Sequence, residues 1–365
     1  MTMQDLPLGF TERVTFQLRS LYNRHGYSQY KMNKFEEYDL YARNKDFLIS
    51  DSVITFTDLN GKLMALKPDV TLSIVRSSWD DARTVQKLYY NENVYRAAKG
   101  TRTFQEIVQV GLEALGPIDE YCIAEVLTLA AESLRSISPR CLLNISHLGI
   151  LNQAIDRIGL PENRKPQVLK FIGEKNIHEL TAFCSSCGIS EEKAAPLLAL
   201  ASLSGGADEV LPRLRALLPG CSATQQLARI LSSLDDSVKA ILRLDFSAVD
   251  DIHYYNGIVF KGFIDGLPGS VLSGGQYDNL MKKMHRRSGA IGFAIYMDKL
   301  QQLDTAKRTY DADNLLVYAP GETFARIRAA ADILRQQGES VLVQPGIPEN
   351  ARFRRIVTTK EVLGK

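Results

Sequence analysis

Gln109 and Glu113 stand four positions apart in a stretch, residues 104–115, whose apolar and β-branched content reads as a strand. On a strand that spacing puts both on one face and leaves Val108, Val110 and Leu112 on the other. Two polar side chains together on an inward face point to a pocket rather than to packing. A second polar supply comes from Tyr254-Tyr255-Asn256-Gly257-Ile258-Val259-Phe260 and, after a turn at 265–269, from Ser273-Gly274-Gly275-Gln276-Tyr277-Asp278. Gly274-Gly275 lets the backbone pass close to a ligand or a neighbouring strand, and the hydroxyls of Tyr255 and Tyr277 become available beside it. Strand alternation sends Tyr254 to the face opposite Tyr255, into the core. Asp69 reads either as a pocket carboxylate or as a cap on the helix after it. Arg96, Lys99 and Arg102, in a loop of small and basic residues between two strands, make a cradle for an anion or for a partner's carboxylates.

Strands and turns must position these groups. Residues 11–25 carry Val14, Leu18, Leu21 and Tyr22 on one helical face, with Gly26 at the stop. Residues 53–66 read as a hairpin across Asn60-Gly61 that begins an antiparallel sheet. A helix follows to about 79, then strands at 85–95 and 104–115. From about 117 to 235 the pattern is helical, broken by proline and glycine, with 141–145 the one strand expected. The sheet resumes near 241 and runs to 300, and 315–343 form a single β-α-β unit. The expected division is therefore residues 1–305, carrying a helical insertion at about 117–235, and a small truncated C-terminal α/β domain at 306–365.

A chain of 365 residues with 45% hydrophobic and 24% charged residues is long enough for two domains and too apolar for disorder. Lys+Arg 44 against Asp+Glu 42 leaves +2, too little for a general nucleic-acid footprint. Five scattered cysteines suit a reducing cytoplasm, and neither a signal peptide nor a membrane span is expected. Cys184 and Cys187 have metal-site spacing without a second pair, so no metal is expected.

The blocks Ala65-Leu66-Lys67-Pro68-Asp69-Val70-Thr71, Val94-Tyr95-Arg96, Phe104 to Glu113, Tyr254-Tyr255, Gly274-Gly275-Gln276-Tyr277-Asp278 and Gly292-Phe293-Ala294 stand in an order that resembles the catalytic domain of histidyl-tRNA synthetase over about residues 5–300. The resemblance implies an α+β fold of the class II aminoacyl-tRNA synthetase kind: an antiparallel sheet flanked by helices, dimerising through its N-terminal elements. It also implies a histidine-binding set, here Asp69, Thr71, Gln109, Glu113, Tyr255 and Tyr277. The set is chemically coherent: an α-ammonium takes a carboxylate, a hydroxyl and an amide oxygen, and an imidazole takes Glu113 with a tyrosine hydroxyl opposite.

The nucleotide side departs from that family. Its Arg-x-Glu is Arg96-Ala97-Ala98 here, its Arg-Gly-Leu-Asp-Tyr-Tyr is Asp250-Asp251-Ile252-His253-Tyr254-Tyr255, and its Gly-Leu-Glu-Arg is Tyr296-Met297-Asp298-Lys299. Preorganised charge aimed at a transition state is worth about 2.7–4 kcal/mol per donor, so exchanging two arginines removes roughly 10⁴-fold or more. No catalytic residues and no cofactor are expected. From Leu315 the chain is also shorter than an anticodon-binding domain, so no tRNA partner is expected.

An intact amino-acid side, a dismantled nucleotide side and a Tyr-Tyr-Asn-Gly block resemble the regulatory subunits of ATP phosphoribosyltransferase. That resemblance implies an allosteric, non-catalytic cytoplasmic subunit. It would assemble with a short catalytic subunit into a hetero-octamer, enable the first step of histidine biosynthesis and transmit feedback inhibition by L-histidine. The alternative is an amino-acid-activating ligase that serves an acceptor other than tRNA, with Lys299 and Arg96 as residual cations.

Overall fold

The computed structural model describes residues 8–48, 53–81, 83–97, 103–247, 254–303 and 310–364. The chain divides into two compact units, with the boundary in sequence between Leu303 and Asp304.

The larger unit is built on a nine-stranded sheet flanked by helices. In chain order its strands are β1 (Ser28–Gln29), β5 (Gln86–Ala97), β6 (Phe104–Gly116), β7 (Cys141–His147), β8 (Ser204–Gly205), β9 (Leu242–Asp245), β10 (Ile258–Ile264), β11 (Leu272–Gln276) and β12 (Gly289–Tyr296). Their spatial order is β1-β5-β6-β12-β11-β10-β7-β9-β8, antiparallel except for the pairs β1 with β5 and β7 with β9. The longest ladder, β5 with β6, pairs Gln86 with Leu115 at one end and Ala97 with Phe104 at the other.

The two faces of β6 divide as the alternation predicts. Val110 and Leu112 are buried in the larger core beneath helices α1 (Phe10–Arg24) and α4 (Glu120–Ile137), with Val108 packed at its edge. α1 buries Val14, Leu18, Leu21 and Tyr22, and Tyr22 meets Ser133 of α4 at 3.0 Å between hydroxyl oxygens. It stops at Gly26, whose φ of 79° is open to glycine at little cost. The opposite face, with Gln109, Gly111 and Glu113, meets a second core of Tyr41, Phe47, Leu72, Tyr90 and Tyr277.

Three sequence expectations are corrected. The hairpin of β3 (Thr55–Thr57) and β4 (Leu63–Leu66) is antiparallel, but it pairs with β2 (Phe35–Glu37) in a separate three-stranded sheet. A backbone link to β5 comes just past β4, where the Lys67 carbonyl accepts the Tyr95 amide at 2.9 Å, while β1 pairs with Leu88 and Tyr89 nearer the start of β5. The 141–147 strand lies well inside the main sheet between β10 and β9, and it is not the one strand of the helical stretch, since β8 pairs with β9 in the same sheet. The smaller unit is more than one β-α-β: β13 (Ala312–Val317) is flanked by parallel β14 (Val341–Gln344) and β15 (Phe353–Thr358), with helix Phe324–Gln336 over one face. β15 escaped notice because Arg354, Arg355 and Ile356 are exposed and break the apolar pattern.

Candidate functional site

Asp69 and Thr71 open helix α3 (Thr71–Ser77), where Asp69 Oδ1 accepts the Leu72 amide at 2.9 Å. That bond fits the cap reading of Asp69, and its other oxygen faces Arg96 at 3.8 Å. Arg96 is buried, and its Nε donates to the Pro68 carbonyl at 2.8 Å. It is turned inward over Asp69 rather than outward toward a partner. Lys99 and Arg102 lie outside the described residues, as do Asp250, Asp251 and His253.

Glu113 is 2% exposed, and each of its oxygens accepts one hydroxyl. Thr71 Oγ1 donates to Oε1 at 2.8 Å, and Tyr277 Oη donates to Oε2 at 2.6 Å. Burial pushes the Glu113 carboxyl up to about 8; the two hydroxyls pull it down and the Asp69 charge raises it further. Burial also raises Asp69, against the opposing pull of Arg96 and two backbone amides. Tyr254 and Tyr277 are held well above the ordinary phenol range by burial first and by the neighbouring carboxylates, so both stay protonated donors.

The six residues Asp69, Thr71, Gln109, Glu113, Tyr255 and Tyr277 all line one cavity of about 210 Å³, together with Arg96. That is below the roughly 300–1,000 Å³ of pockets for drug-sized molecules and suits a ligand of amino-acid size. Its floor is the polar face of β6 and the facing positions of β12, where Gly292 is paired with Glu113. A Cβ at Gly292 would overlap the Glu113 carboxylate, so only glycine leaves that group its place. Gly275 plays the same part for Tyr255, whose ring lies 2.8 Å from where a Cβ would stand.

Tyr254 departs from the sequence expectation. It lines the cavity, and its ring centroid is 4.8 Å from that of Tyr255 and 5.6 Å from that of Tyr277. The pair sits in a bend ahead of β10, where strand alternation does not apply. That bend is clamped by groups that sequence reasoning passed over. Asn256 Nδ2 donates to Asp278 Oδ2 at 3.0 Å, the Asp278 amide donates back to Asn256 Oδ1 at 2.7 Å, and Asp278 Oδ1 accepts the Ala290 amide at 3.0 Å. An Asx residue beside each tyrosine block was the available signal. Asp46, Phe47 and Leu48, also among the lining residues, lie in a stretch with no periodicity to announce them.

On the side where the synthetase motif would place its closing arginine, Lys299 does not line the cavity. Its Nζ donates to the Ser270 carbonyl at 2.6 Å and lies 5.0 Å from the centroid of the Tyr296 ring, while Tyr296 itself takes part of the cavity wall. Burial holds the Lys299 ammonium below its usual range. Among the described residues, no cluster of metal-ligating side chains occurs and no helix is long and apolar enough to cross a membrane.

The family model for histidyl-tRNA synthetase matches residues 9–300. An ATP phosphoribosyltransferase regulatory subunit from Oceanobacillus iheyensis is 27% identical over 342 residues, 91% of this chain and 84% of that protein. A histidine–tRNA ligase from Methanocaldococcus jannaschii is 25% identical over 342 residues, 90% and 80% of the two chains. Among solved structures, one titled an ATP phosphoribosyltransferase regulatory subunit/histidyl-tRNA synthetase, from Bacillus halodurans C, superposes with a TM-score of 0.78 at 24% identity, covering 98% of both chains. An ATP phosphoribosyl transferase (HisG:HisZ) complex from Thermotoga maritima gives 0.61 at 19% identity, covering 78% of this chain and 96% of that one. These two likenesses establish the α+β fold with its large sheet flanked by helices. The chain belongs to the histidyl-tRNA synthetase family.

Proposed function

We propose that this chain is a non-catalytic, cytoplasmic regulatory subunit of ATP phosphoribosyltransferase that binds L-histidine in the cavity around Glu113. It is required by a short catalytic subunit, with which it forms a hetero-octamer from dimers of its own, and it conveys feedback inhibition by histidine in the first step of histidine biosynthesis. It uses no cofactor and no tRNA. The observation that carries this reading is an asymmetry within one cavity. Asp69, Thr71, Gln109, Glu113, Tyr255 and Tyr277 converge on it, whereas Lys299 is bonded to a backbone carbonyl and Tyr296 fills wall space. Similarity to regulatory subunits over about nine-tenths of the chain supports the same reading. Histidine bound here would bias the partner through a coupling free energy that is typically about 1–3 kcal/mol.

Calorimetric titration with L-histidine, with and without saturating Mg-ATP, tests it. Saturable binding unchanged by ATP, and histidine inhibition of the catalytic chain only when this chain is present, are the expected results. Histidine-dependent exchange of pyrophosphate into ATP would overturn the reading in favour of an amino-acid-activating ligase.

A further inference from the structure

Phe47 ends a single turn of 3₁₀ helix, Lys45–Phe47, and lines the cavity. Its ring meets Tyr254 edge to face, 6.1 Å between centroids at 65°, and Tyr254 in turn packs on Tyr255 and Tyr277. These four rings, with Tyr90, Phe293 and Tyr296, line a space whose acidic groups are Asp46, Asp69 and Glu113. Rings so arranged favour a flat or cationic guest over an aliphatic one.

The Phe47 turn is held by its own backbone bonds, Phe47 amide to Asn44 carbonyl at 3.0 Å and Leu48 amide to Lys45 carbonyl at 2.9 Å, and is met by a lysine from elsewhere in the fold. Lys283 Nζ donates to Asp46 Oδ2 at 2.7 Å and lies 5.2 Å from the centroid of the Phe47 ring. Lys283 closes the short helix Asp278–Lys283, and that helix begins immediately after Tyr277, the donor to Glu113. One six-residue element thus carries a pocket donor at its start and, at its end, the ammonium that grips the far wall.

We propose that Phe47 is a specificity-determining residue that selects a flat nitrogen-bearing ring in this pocket, and that Lys283, through Asp46 and the Phe47 ring, is the positioning residue that keeps it in place. The proposal rests on the reading that the pocket takes histidine, and it adds the wall that reads the side chain of that ligand. Of the six residues read from the sequence only Tyr255 and Tyr277 carry rings, and Phe47 adds an aromatic wall from a different segment of the chain.

Two measurements on the full chain test it. In the first, amide hydrogen exchange at Phe47 and Leu48 is followed without ligand in wild type, Lys283→Ala and Lys283→Arg. The expected result is exchange several-fold faster in the alanine variant and near wild type in the arginine variant. Identical exchange in all three proteins overturns the positioning role. In the second, the Kd for L-histidine is measured in Phe47→Tyr and Phe47→Leu, with circular dichroism to show that both fold. Tyrosine, which keeps the ring, should stay within about threefold of wild type, and leucine, which keeps the bulk, should bind about fivefold or more weakly. Equal affinities in the two variants overturn ring selection. A wild-type protein that takes up no histidine overturns the reading of the pocket, and ring selection with it, whereas the exchange result still decides the Lys283 contact.

Discussion

The Tyr277 hydroxyl donates to Glu113 Oε2 at 2.6 Å across a separation of 164 positions in the chain. Thr71 completes the carboxylate from the other side at 2.8 Å. A buried acid with both oxygens occupied is a fixed acceptor, ready for a ligand N–H without rearrangement.

Removing that acceptor should remove the ligand. Hydrogen bonds to charged groups are worth about 1.5–3 kcal/mol, so above about pH 8, where Glu113 is ionised, Glu113→Gln is expected to weaken L-histidine binding by roughly 10- to 100-fold. Tyr277→Phe, which leaves the carboxylate but strips one donor, should weaken it less. Calorimetry on the two variants orders them, and equal affinities to wild type would remove Glu113 from the site.

The same carboxylate sets a pH signature. Glu113 has an ordinary value of 4.5 and is held at about 8 in the folded chain, chiefly by burial. The folded state therefore binds the proton more tightly than the unfolded state, and the associated stability is fully present below about 4.5 and lost as pH rises through about 8. Asp69, raised in the same direction, adds to the trend. Urea unfolding from pH 5 to 9 should show wild type losing on the order of a few kcal/mol relative to Glu113→Gln, the gap opening from pH 5 and levelling off above about pH 8. Parallel stability curves for the two proteins would contradict it.

Gly292→Ala places a methyl group on the Glu113 carboxylate and near the Leu112 carbonyl. Overpacking of this kind costs about 1–3 kcal/mol, and the carboxylate is the part able to move. The expected result is a folded protein by circular dichroism, with a lowered Tm and no measurable histidine binding.

Asn256→Ala should act at a distance from the ligand. It leaves Asp278 Oδ2 without its 3.0 Å donor and the Asp278 amide without its 2.7 Å acceptor, so the Tyr254–Tyr255 bend loses its side-chain clamp and keeps the backbone bond from the Asn256 amide to the Gln276 carbonyl at 3.0 Å. A stability loss of about 1–3 kcal/mol by urea unfolding, together with weaker histidine binding, is the expected pair of effects. Loss of stability with unaltered binding would show that the bend holds without the clamp.

The polar face of β6 was legible because a strand's period is two and Glu113 must share a side with Gln109. All six pocket residues read from the sequence meet in one cavity, and the order of the main-sheet strands β5, β6, β10, β11 and β12 along the chain was readable from turns and apolar runs. Tyr254 was placed on the wrong face because nothing local distinguishes the end of a bend from the start of a strand; the Asn256–Asp278 bridge that makes the difference is a contact across 22 positions. Phe47 and Lys283 were invisible as a pair for the same reason, since they meet across the fold and not along it. The separate sheet of β2, β3 and β4 could not be foreseen, because the pairing of β4 with β2, Phe35 against Leu66, joins segments some thirty positions apart that no local signal links.

The long reach between Glu113 and Tyr277 also fixes when the site comes into being. At a synthesis rate of about 5–20 residues per second, the 164 positions between them take roughly 8–33 s to emerge, and for that interval the β6 carboxylate has no tyrosine to accept from. A nascent chain stopped anywhere before Tyr277 can carry β5, β6 and α4 yet keep Glu113 hydrated and ionised like any surface acid. The dehydration of that group falls on the last strands to leave the ribosome, so the pocket closes as a late event in the birth of the domain.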